Sequence, residues 1–273
     1  MNFKITFDNL KSKFEEYLFS LTEFNDVPSP LKDGMQYALR GEGKRIRPIL
    51  FLYTYSLYKE INESALLFAS ALEILHNYSL VHDDLPCMDN DDYRRGRLTV
   101  HKAYGEDIGV LCGDALLNYA FEIVSKAISV SEDKDSAIKC FSEFAKLAGS
   151  SGMIGGQTVD TNPNKQLNLD TLNYIYKNKT GNLFCYSIKG AMILANQNDL
   201  DAEKFGYLLG YIFQLTDDLL DDDNAFSILN IISRKEAEEL LENKTQEALL
   251  LAEKLDKNGF FTQLIHLIAK RKN

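Results

Sequence analysis

Proline is scarce in this chain, with five in 273 residues, at positions 28, 30, 48, 86 and 163. Long stretches are therefore free of breakers. Cysteine is also sparse. Cys87, Cys112, Cys140 and Cys185 form no CxxC pair, and with four histidines in the whole chain no zinc-type spacing exists. They read as free thiols of a reducing compartment, and the expected location is the cytoplasm. No run approaches about 18 uninterrupted apolar residues, so no membrane span is expected. Charges interrupt the segment from Met1 to Glu16, which excludes a signal peptide. Basic charge is in deficit: 30 Lys and Arg against 40 Asp and Glu give a net charge of -10, which argues against general nucleic-acid binding.

What is present is helical periodicity. Residues 7–24, 48–60, 62–84, 106–128, 133–151, 168–195 and 201–222 place apolar side chains at three- and four-residue intervals. No extended alternation of period two, internal repeat or low-complexity linker occurs. Segments 24–31 and 160–168, rich in Pro, Asn, Asp and Ser, are the clearest loops. The expectation is an all-α, single-domain bundle of roughly ten helices spanning residues 1–273.

Acidic residues are concentrated in two places. Asp83, Asp84 and Asp89 are followed by Asp91, Asp92, Arg94, Arg95 and Arg97, while Asp217, Asp218 and Asp221 continue into Asp222 and Asp223. An acidic run is ordinarily a solvated face. Both of these, however, close apolar helical segments, and a solvated face would spread its charge and mix its signs. Mg²⁺ binds carboxylate oxygens and keeps waters and substrate phosphates as its other ligands, so two facing clusters could hold several ions around one diphosphate.

Helical geometry refines this picture. Asp217 and Asp221 share one face, with Gln214 on the same stripe, and His76, Ser79 and Asp83 share another. Pro86 forces the chain out of the helix, which lets Asp89 return toward Asp83. Gly43-Lys44-Arg45-Ile46-Arg47-Pro48 precedes a helical run with Pro48 placed as its first residue, a setting in which free N–H groups, Lys44 and Arg47 favour an anion. Arg94 and Arg95 are close enough in sequence to the first cluster to reach the same phosphates. Alone, the basic turn and Lys179-Thr180-Gly181 have ordinary structural readings; both gain weight beside the aspartates.

The segments GKRIRP (43–48), HNYSLVHDDLPCMDNDDYRRG (76–96), GGQTVD (155–160), KTGNLF (179–184) and FQLTDDLLDD (213–222) resemble, in order and spacing, the motifs of trans-isoprenyl diphosphate synthases, most nearly the bacterial farnesyl diphosphate synthases. The resemblance covers essentially the whole chain. It implies a bundle around a deep central cavity and a prenyltransferase of isoprenoid biosynthesis. Such an enzyme condenses isopentenyl diphosphate with dimethylallyl and geranyl diphosphate, is Mg²⁺-dependent, and works as a homodimer. By the same resemblance, Asp83 and Asp89 would ligate metal with Asp84 nearby, and Asp217 would do so with Asp218 and Asp221 in support. Lys44, Arg47, His76 and Arg95 would bind the diphosphate of isopentenyl diphosphate. Arg94, Lys179 and Gln214 would contact the allylic diphosphate, and Thr180 and Gln214 would turn oxygen dipoles to the cationic carbons. Tyr78 and Ser79 would limit chain length, favouring farnesyl over geranyl or geranylgeranyl diphosphate, although an aromatic at helical spacing is ordinarily core packing.

One departure stands out. The family continues beyond its second aspartate motif through a glycine- and lysine-bearing loop, whereas Asp223 here passes directly to Asn224-Ala225-Phe226. The expected phosphate-contacting lysine has no counterpart. The flanks rejoin without turn chemistry, which favours a loop missing from the sequence over a true deletion. Three other classes compete with this reading: a weakly active subunit of a hetero-oligomeric prenyl synthase, a His/Asp phosphohydrolase, and a diphosphate-ionising cyclase. Intact aspartates oppose the first, too few histidines the second, and a site for a second diphosphate the third.

Overall fold

A computed structural model describes residues 2–162, 164–221 and 226–271. Among these residues the fold is all-α. The helices run in the order α1 (Phe3–Ser20), α2 (Leu31–Leu39), α3 (Ile46–Ser56), α4 (Glu63–Asp83), α5 (Val100–Tyr104), α6 (Glu106–Val130), α7 (Lys134–Ala148), α8 (Met153–Asp160), α9 (Leu169–Ile175), α10 (Asn182–Leu194), α11 (Leu200–Leu220), α12 (Arg234–Leu255) and α13 (Phe260–Ala269). A π-helical turn, Tyr176–Gly181, joins α9 to α10. The only strands among the described residues are β1 (Tyr93–Arg94) and β2 (Arg97–Leu98), an antiparallel pair closed around Gly96.

The chain forms two compact units, one of Phe7–Ser56 and Glu60–Ala137, the other of Met1–Thr6, Leu57–Lys59 and Ile138–Asn273. In the first, α4 is the core. Asn62 caps it by accepting the Ala65 N–H at 2.9 Å, and every residue from Ser64 to Leu75 is buried. A helix apolar on all sides is stable only when enclosed, and each large aliphatic side chain so buried contributes roughly 1.5–3 kcal/mol. Helix α6 packs closely on its C-terminal end because Gly113 faces His82: a Cβ there would lie 2.0 Å from the imidazole.

In the second unit the end of α11 rests on a cluster of Leu172, Tyr176, Leu215, Ile228 and Ala237, flanked by Phe226 and Tyr211. Ser233 and Glu236 form a capping box that starts α12.

Helix α3 begins at Ile46, so Pro48 is its third residue rather than its first. It still lies in the opening turn, where its missing N–H has no helical partner to lose. Helices α4 and α6 have the length and mean hydropathy of a membrane helix; 83% of the α4 window is buried inside the protein, against 39% for α6. An average over a window tolerates the isolated charges that an uninterrupted run does not.

Candidate active site

The first aspartate cluster is built by the way α4 ends. Its last regular residue is Asp83, and Pro86 prevents continuation. The chain then folds back: the Asp89 N–H donates to the Asp83 carbonyl at 2.9 Å, and Asn90, in the left-handed region at φ 55°, donates to the Leu85 carbonyl at 3.1 Å. Between Ser64 and Asp84 the side chains not fully buried are His76, Ser79, Leu80, His82 and Asp83. His76, Ser79 and Asp83 therefore form one accessible stripe, and Asp89 is brought back beside its lower end.

Asp84 points elsewhere. It is 3% exposed and accepts the Arg94 guanidinium at 2.6 Å from Nε and 2.5 Å from Nη2. Burial raises its pKa, while Arg94 pulls it down. Tyr78 is buried, its ring edge-on to His82 at 5.7 Å, and burial beside Asp83 pushes its phenol up to about 12. Ser79 donates to the His76 carbonyl at 2.9 Å.

The basic residues divide by role. Arg45 is 3% exposed and tied to Glu73 at 2.8 Å, Glu15 at 3.1 Å, and the carbonyls of Leu39 and Gly41 at 2.9 and 2.8 Å. Those four contacts anchor the turn, which leaves Lys44 exposed just before α3. Arg47 Nη1 lies 3.3 Å from His76 Nε2, and Arg95 donates to the Glu42 carbonyl at 2.8 Å. Burial, together with Arg47, Arg95, Arg94 and Arg45, holds the His76 pKa well below its usual value. A neutral imidazole set among guanidiniums is a ready anion site.

The second cluster sits in the other unit, at the end of α11. Asp221 caps that helix by donating its N–H to the Asp217 carbonyl at 3.0 Å, so the two lie one turn apart as their spacing predicts. The Asp217 carboxylate is engaged by Arg271, which also donates to the Phe213 carbonyl at 2.7 Å. Asp218 is 2% exposed; it accepts the Tyr176 hydroxyl, the Ile228 N–H at 2.8 Å and the Gln214 side-chain amide at 3.4 Å. With its amide N on Asp218, Gln214 turns Oε1 toward Thr180, whose hydroxyl donates to it at 3.0 Å. Asp222 and Asp223, and the junction where the family's loop is expected, lie outside the described residues.

Lys179 and Thr180 are both on the π-helical turn, and π-turns recur at functional sites. Helix α8 fits against that turn because residue 156 is glycine: a Cβ there would be 2.3 Å from the Lys179 backbone nitrogen. Asp160, at the end of α8, holds Lys179 Nζ at 2.5 Å. Asp160 and Arg271 were not singled out from sequence. Asp160 closes the GGQTVD segment, which signals its importance without its partner; nothing in the sequence marks Arg271.

Both aspartate sets close helices at their C-terminal ends. The macrodipole is negative there, so each carboxylate is disfavoured by about 0.3–1 kcal/mol unless a cation is near. The described residues hold no group of three or more His, Cys, Asp or Glu able to enclose a metal. Oxygen-only donors in ones and twos suit Mg²⁺, which takes one or two carboxylates and completes its shell with water and phosphate. Asp83 with Asp89, and Asp217 with Asp221, have the donor chemistry for this, Asp217 by exchanging its contact with Arg271. Asp84 and Asp218 are committed to protein partners.

The polyprenyl synthetase family model matches residues 28–259. The chain is 38% identical over 215 residues to the farnesyl diphosphate synthase of Bacillus subtilis (strain 168), covering 77% of this chain and 73% of that protein. It is 41% identical over 200 residues to the chloroplastic geranylgeranyl pyrophosphate synthase of Capsicum annuum, covering 71% and 54%. The crystal structure of an FPP/GFPP synthase from Zymomonas mobilis superposes with a TM-score of 0.91 at 31% identity, covering 98% of this chain and 99% of that one.

Proposed function

From the premise that this chain belongs to the polyprenyl synthetase family and is a prenyltransferase, we propose that it condenses isopentenyl diphosphate with dimethylallyl and then geranyl diphosphate, releasing farnesyl diphosphate. The observation that carries this reading is the return of Asp89 onto Asp83 beneath an accessible stripe that also bears His76. We take residues 1–273 as one synthase domain, supported by a family match that runs through both compact units.

Asp83 and Asp89, and Asp217 and Asp221, would hold Mg²⁺, with Asp84 and Asp218 bracing their neighbours. When bound, Mg²⁺ supplies Lewis-acid neutralisation of the charge that develops on a departing diphosphate. Lys44, Arg47, His76 and Arg95 bind the diphosphate of isopentenyl diphosphate. Arg94, Lys179 and Gln214 bind that of the allylic substrate; the guanidinium of Arg94 has five N–H donors, enough to keep Asp84 and still meet a phosphate oxygen.

The allylic C–O bond breaks with its electron pair going to the diphosphate, leaving an allylic cation. The double bond of isopentenyl diphosphate supplies the pair for the new C–C bond, and the leaving diphosphate takes the proton that restores an alkene. No protein nucleophile is required. Thr180 and Gln214 present oxygen dipoles to the cation, and their orientation is set in advance by the bond between them and by Asp218, so little reorganisation is needed during reaction.

A fifteen-carbon product is supported by Tyr78, a buried ring close to Asp83 and steadied by His82. A homodimer is supported by α6, an apolar helix with Val110 43% and Leu111 50% exposed. A cytoplasmic location is supported by Cys112, Cys140 and Cys185, buried free thiols with pKa values pushed up to about 12. The test is a product assay with isopentenyl diphosphate, dimethylallyl diphosphate and Mg²⁺. Farnesyl diphosphate as the main product is expected; a twenty-carbon product would overturn the chain length, and no product from folded protein would overturn the reaction.

A further inference from the structure

The start of α13 is fixed by Asp256, whose carboxylate accepts the N–H groups of Phe260 and Phe261 at 2.7 and 3.1 Å. The Phe261 ring packs 5.1 Å from Phe205, early in α11, and Arg271 reaches Phe213 and Asp217, near the end of that helix. The two helices therefore run side by side in one direction, within one compact unit. Arg271, two residues beyond α13 and level with the last turn of α11, sits at the negative pole of both helix dipoles. A cation is expected at that place. The way this one is held is less expected.

Arg271 uses one nitrogen, Nη2, for both the Phe213 carbonyl, at 2.7 Å, and Asp217 Oδ1. Its Nε is buried and has no hydrogen-bond partner, and its Cζ lies 4.0 Å from the centre of the Phe213 ring. The structural arginines grip differently. Arg45 spreads Nε, Nη1 and Nη2 over four acceptors, and Arg94 meets Asp84 through Nε and Nη2. A guanidinium and a carboxylate pair most strongly at two points, so Arg271 holds Asp217 by a weaker, one-point contact. The Asp217 side chain is 42% exposed and that of Arg271 only 14%, which leaves the carboxylate open to an incoming ligand. Other groups share this helix end: Asp221 closes α11, Asp218 is enclosed by Tyr176, Ile228 and Gln214, and Arg234 donates to the Leu219 carbonyl at 3.1 Å. The contact of Arg271 falls on Asp217 itself, a carboxylate wanted by the metal.

We propose that Arg271 is a resident counter-ion which Mg²⁺ displaces from Asp217, so that the end of α13 makes an autoinhibitory contact against metal loading. The proposal rests on the reading of this chain as a prenyl synthase with Asp217 as a metal ligand. A guanidinium on a carboxylate occupies one of its oxygens and repels a divalent ion close by. When Mg²⁺ arrives with diphosphate, Asp217 exchanges one cation for the other, and Arg271 keeps the Phe213 ring and carbonyl. No covalent bond changes. By linkage, weakening the Arg271 contact tightens Mg²⁺, and Mg²⁺ loosens the Arg271 contact by the same factor.

The experiment titrates Mg²⁺ by calorimetry at a fixed concentration of inorganic diphosphate. It compares the wild-type chain with Arg271→Gln, Arg271→Lys, Asp217→Asn and the double variant of Asp217→Asn with Arg271→Gln. Arg271→Gln should bind Mg²⁺ about fivefold more tightly, the strength of a part-exposed ion pair, and Arg271→Lys should stay nearer wild type. Asp217→Asn should bind more weakly, and adding Arg271→Gln to it should bring no gain. Thermal midpoints give a second readout, independent of turnover. Arg271→Gln should melt below wild type without Mg²⁺ and draw level with it once Mg²⁺ and diphosphate are present. Unchanged Mg²⁺ binding in Arg271→Gln would overturn the proposal while leaving the synthase reading intact. Weaker binding would overturn it too, by showing that Arg271 orients Asp217 for the metal. A wild-type chain that binds neither Mg²⁺ nor diphosphate would overturn the synthase reading, and the proposal with it.

Discussion

The backbone N–H of Asp89 donates to the carbonyl of Asp83 at 2.9 Å, across a sequence separation that no helix face would bring together. Asp83→Ala and Asp89→Ala should each lower the Mg²⁺-dependent condensation rate by about a hundredfold or more, since each removes a proposed metal ligand. Far-ultraviolet circular dichroism should stay unchanged, because neither side chain belongs to the core. Near-wild-type turnover in either variant would remove that residue from the ligand set.

Asp218 is expected to show the opposite pattern. Tyr176→Phe removes one bond to a buried carboxylate that keeps its Ile228 and Gln214 partners. Stability should fall by about 1.5–3 kcal/mol, the range for hydrogen bonds to charged groups, measured by urea denaturation. Turnover should change less than in the Asp83 and Asp89 variants; a larger loss of rate than of stability would mean that Tyr176 acts in the reaction.

Between Arg94 and Asp84 the pairing is buried on one side and one-third exposed on the other. Arg94→Leu would leave the carboxylate enclosed without its cation, with a cost of about 2–3 kcal/mol, below the full penalty for a deeply buried pair. The same variant should raise the allylic KM, whereas Arg94→Lys should recover stability only in part, because an ammonium cannot reproduce the two-point contact.

His76 links stability to pH. Burial and the guanidiniums of Arg47, Arg95, Arg94 and Arg45 lower its pKa in the folded protein, so as pH falls below the ordinary value of 6.5 the unfolded chain takes up a proton that the native state refuses. Stability should therefore decrease from about pH 6.5 downward, and His76→Gln should flatten that part of the profile in a series of denaturation curves. Diphosphate bound between Arg47 and Arg95 would offset their repulsion and draw a proton onto His76. Calorimetry in buffers of different ionisation enthalpy would then read proton uptake, and no uptake would count against His76 facing the substrate.

Gly156 and Lys179 meet backbone to backbone. Gly156→Ala places a methyl 2.3 Å from the Lys179 nitrogen, where neither backbone can yield cheaply. Stability should drop by about 1–3 kcal/mol, and the allylic KM should rise through displacement of Lys179 and Thr180. A variant with wild-type stability and KM would show that α8 can move away without cost.

Much of this molecule is legible from residue spacing. Helices α4, α6 and α7 fall within a few residues of the periodic segments 62–84, 106–128 and 133–151. The turns leading into Leu31 and Leu169 also fall where Pro, Asn and Asp gather, and the Asp221 N–H meets the Asp217 carbonyl one turn back. Helices α2, α5, α8, α12 and α13 lie outside the periodic segments. The first three are short, too brief to fill a window of periodic apolar positions, and α12 is strongly charged. The commitments of Asp84 to Arg94 and of Asp218 to Tyr176 and the Ile228 N–H were also illegible, because a carboxylate within a run carries no sign of which neighbour is turned inward. Arg45, embedded between Lys44 and Arg47, was hidden in the same way.

The π-turn at Tyr176–Gly181 shifts the phase of the helix that contains it. A wider turn holds about one residue more than the 3.6 of an α-turn, so α9 and α10 are offset by roughly 100° of rotation. Drawn as one helical wheel, residues 169–194 would assign α10 to the wrong face. Deleting a single residue from the turn would restore a regular helix and rotate α10 relative to α9, so the length of this short segment should be held as tightly as the residues that compose it.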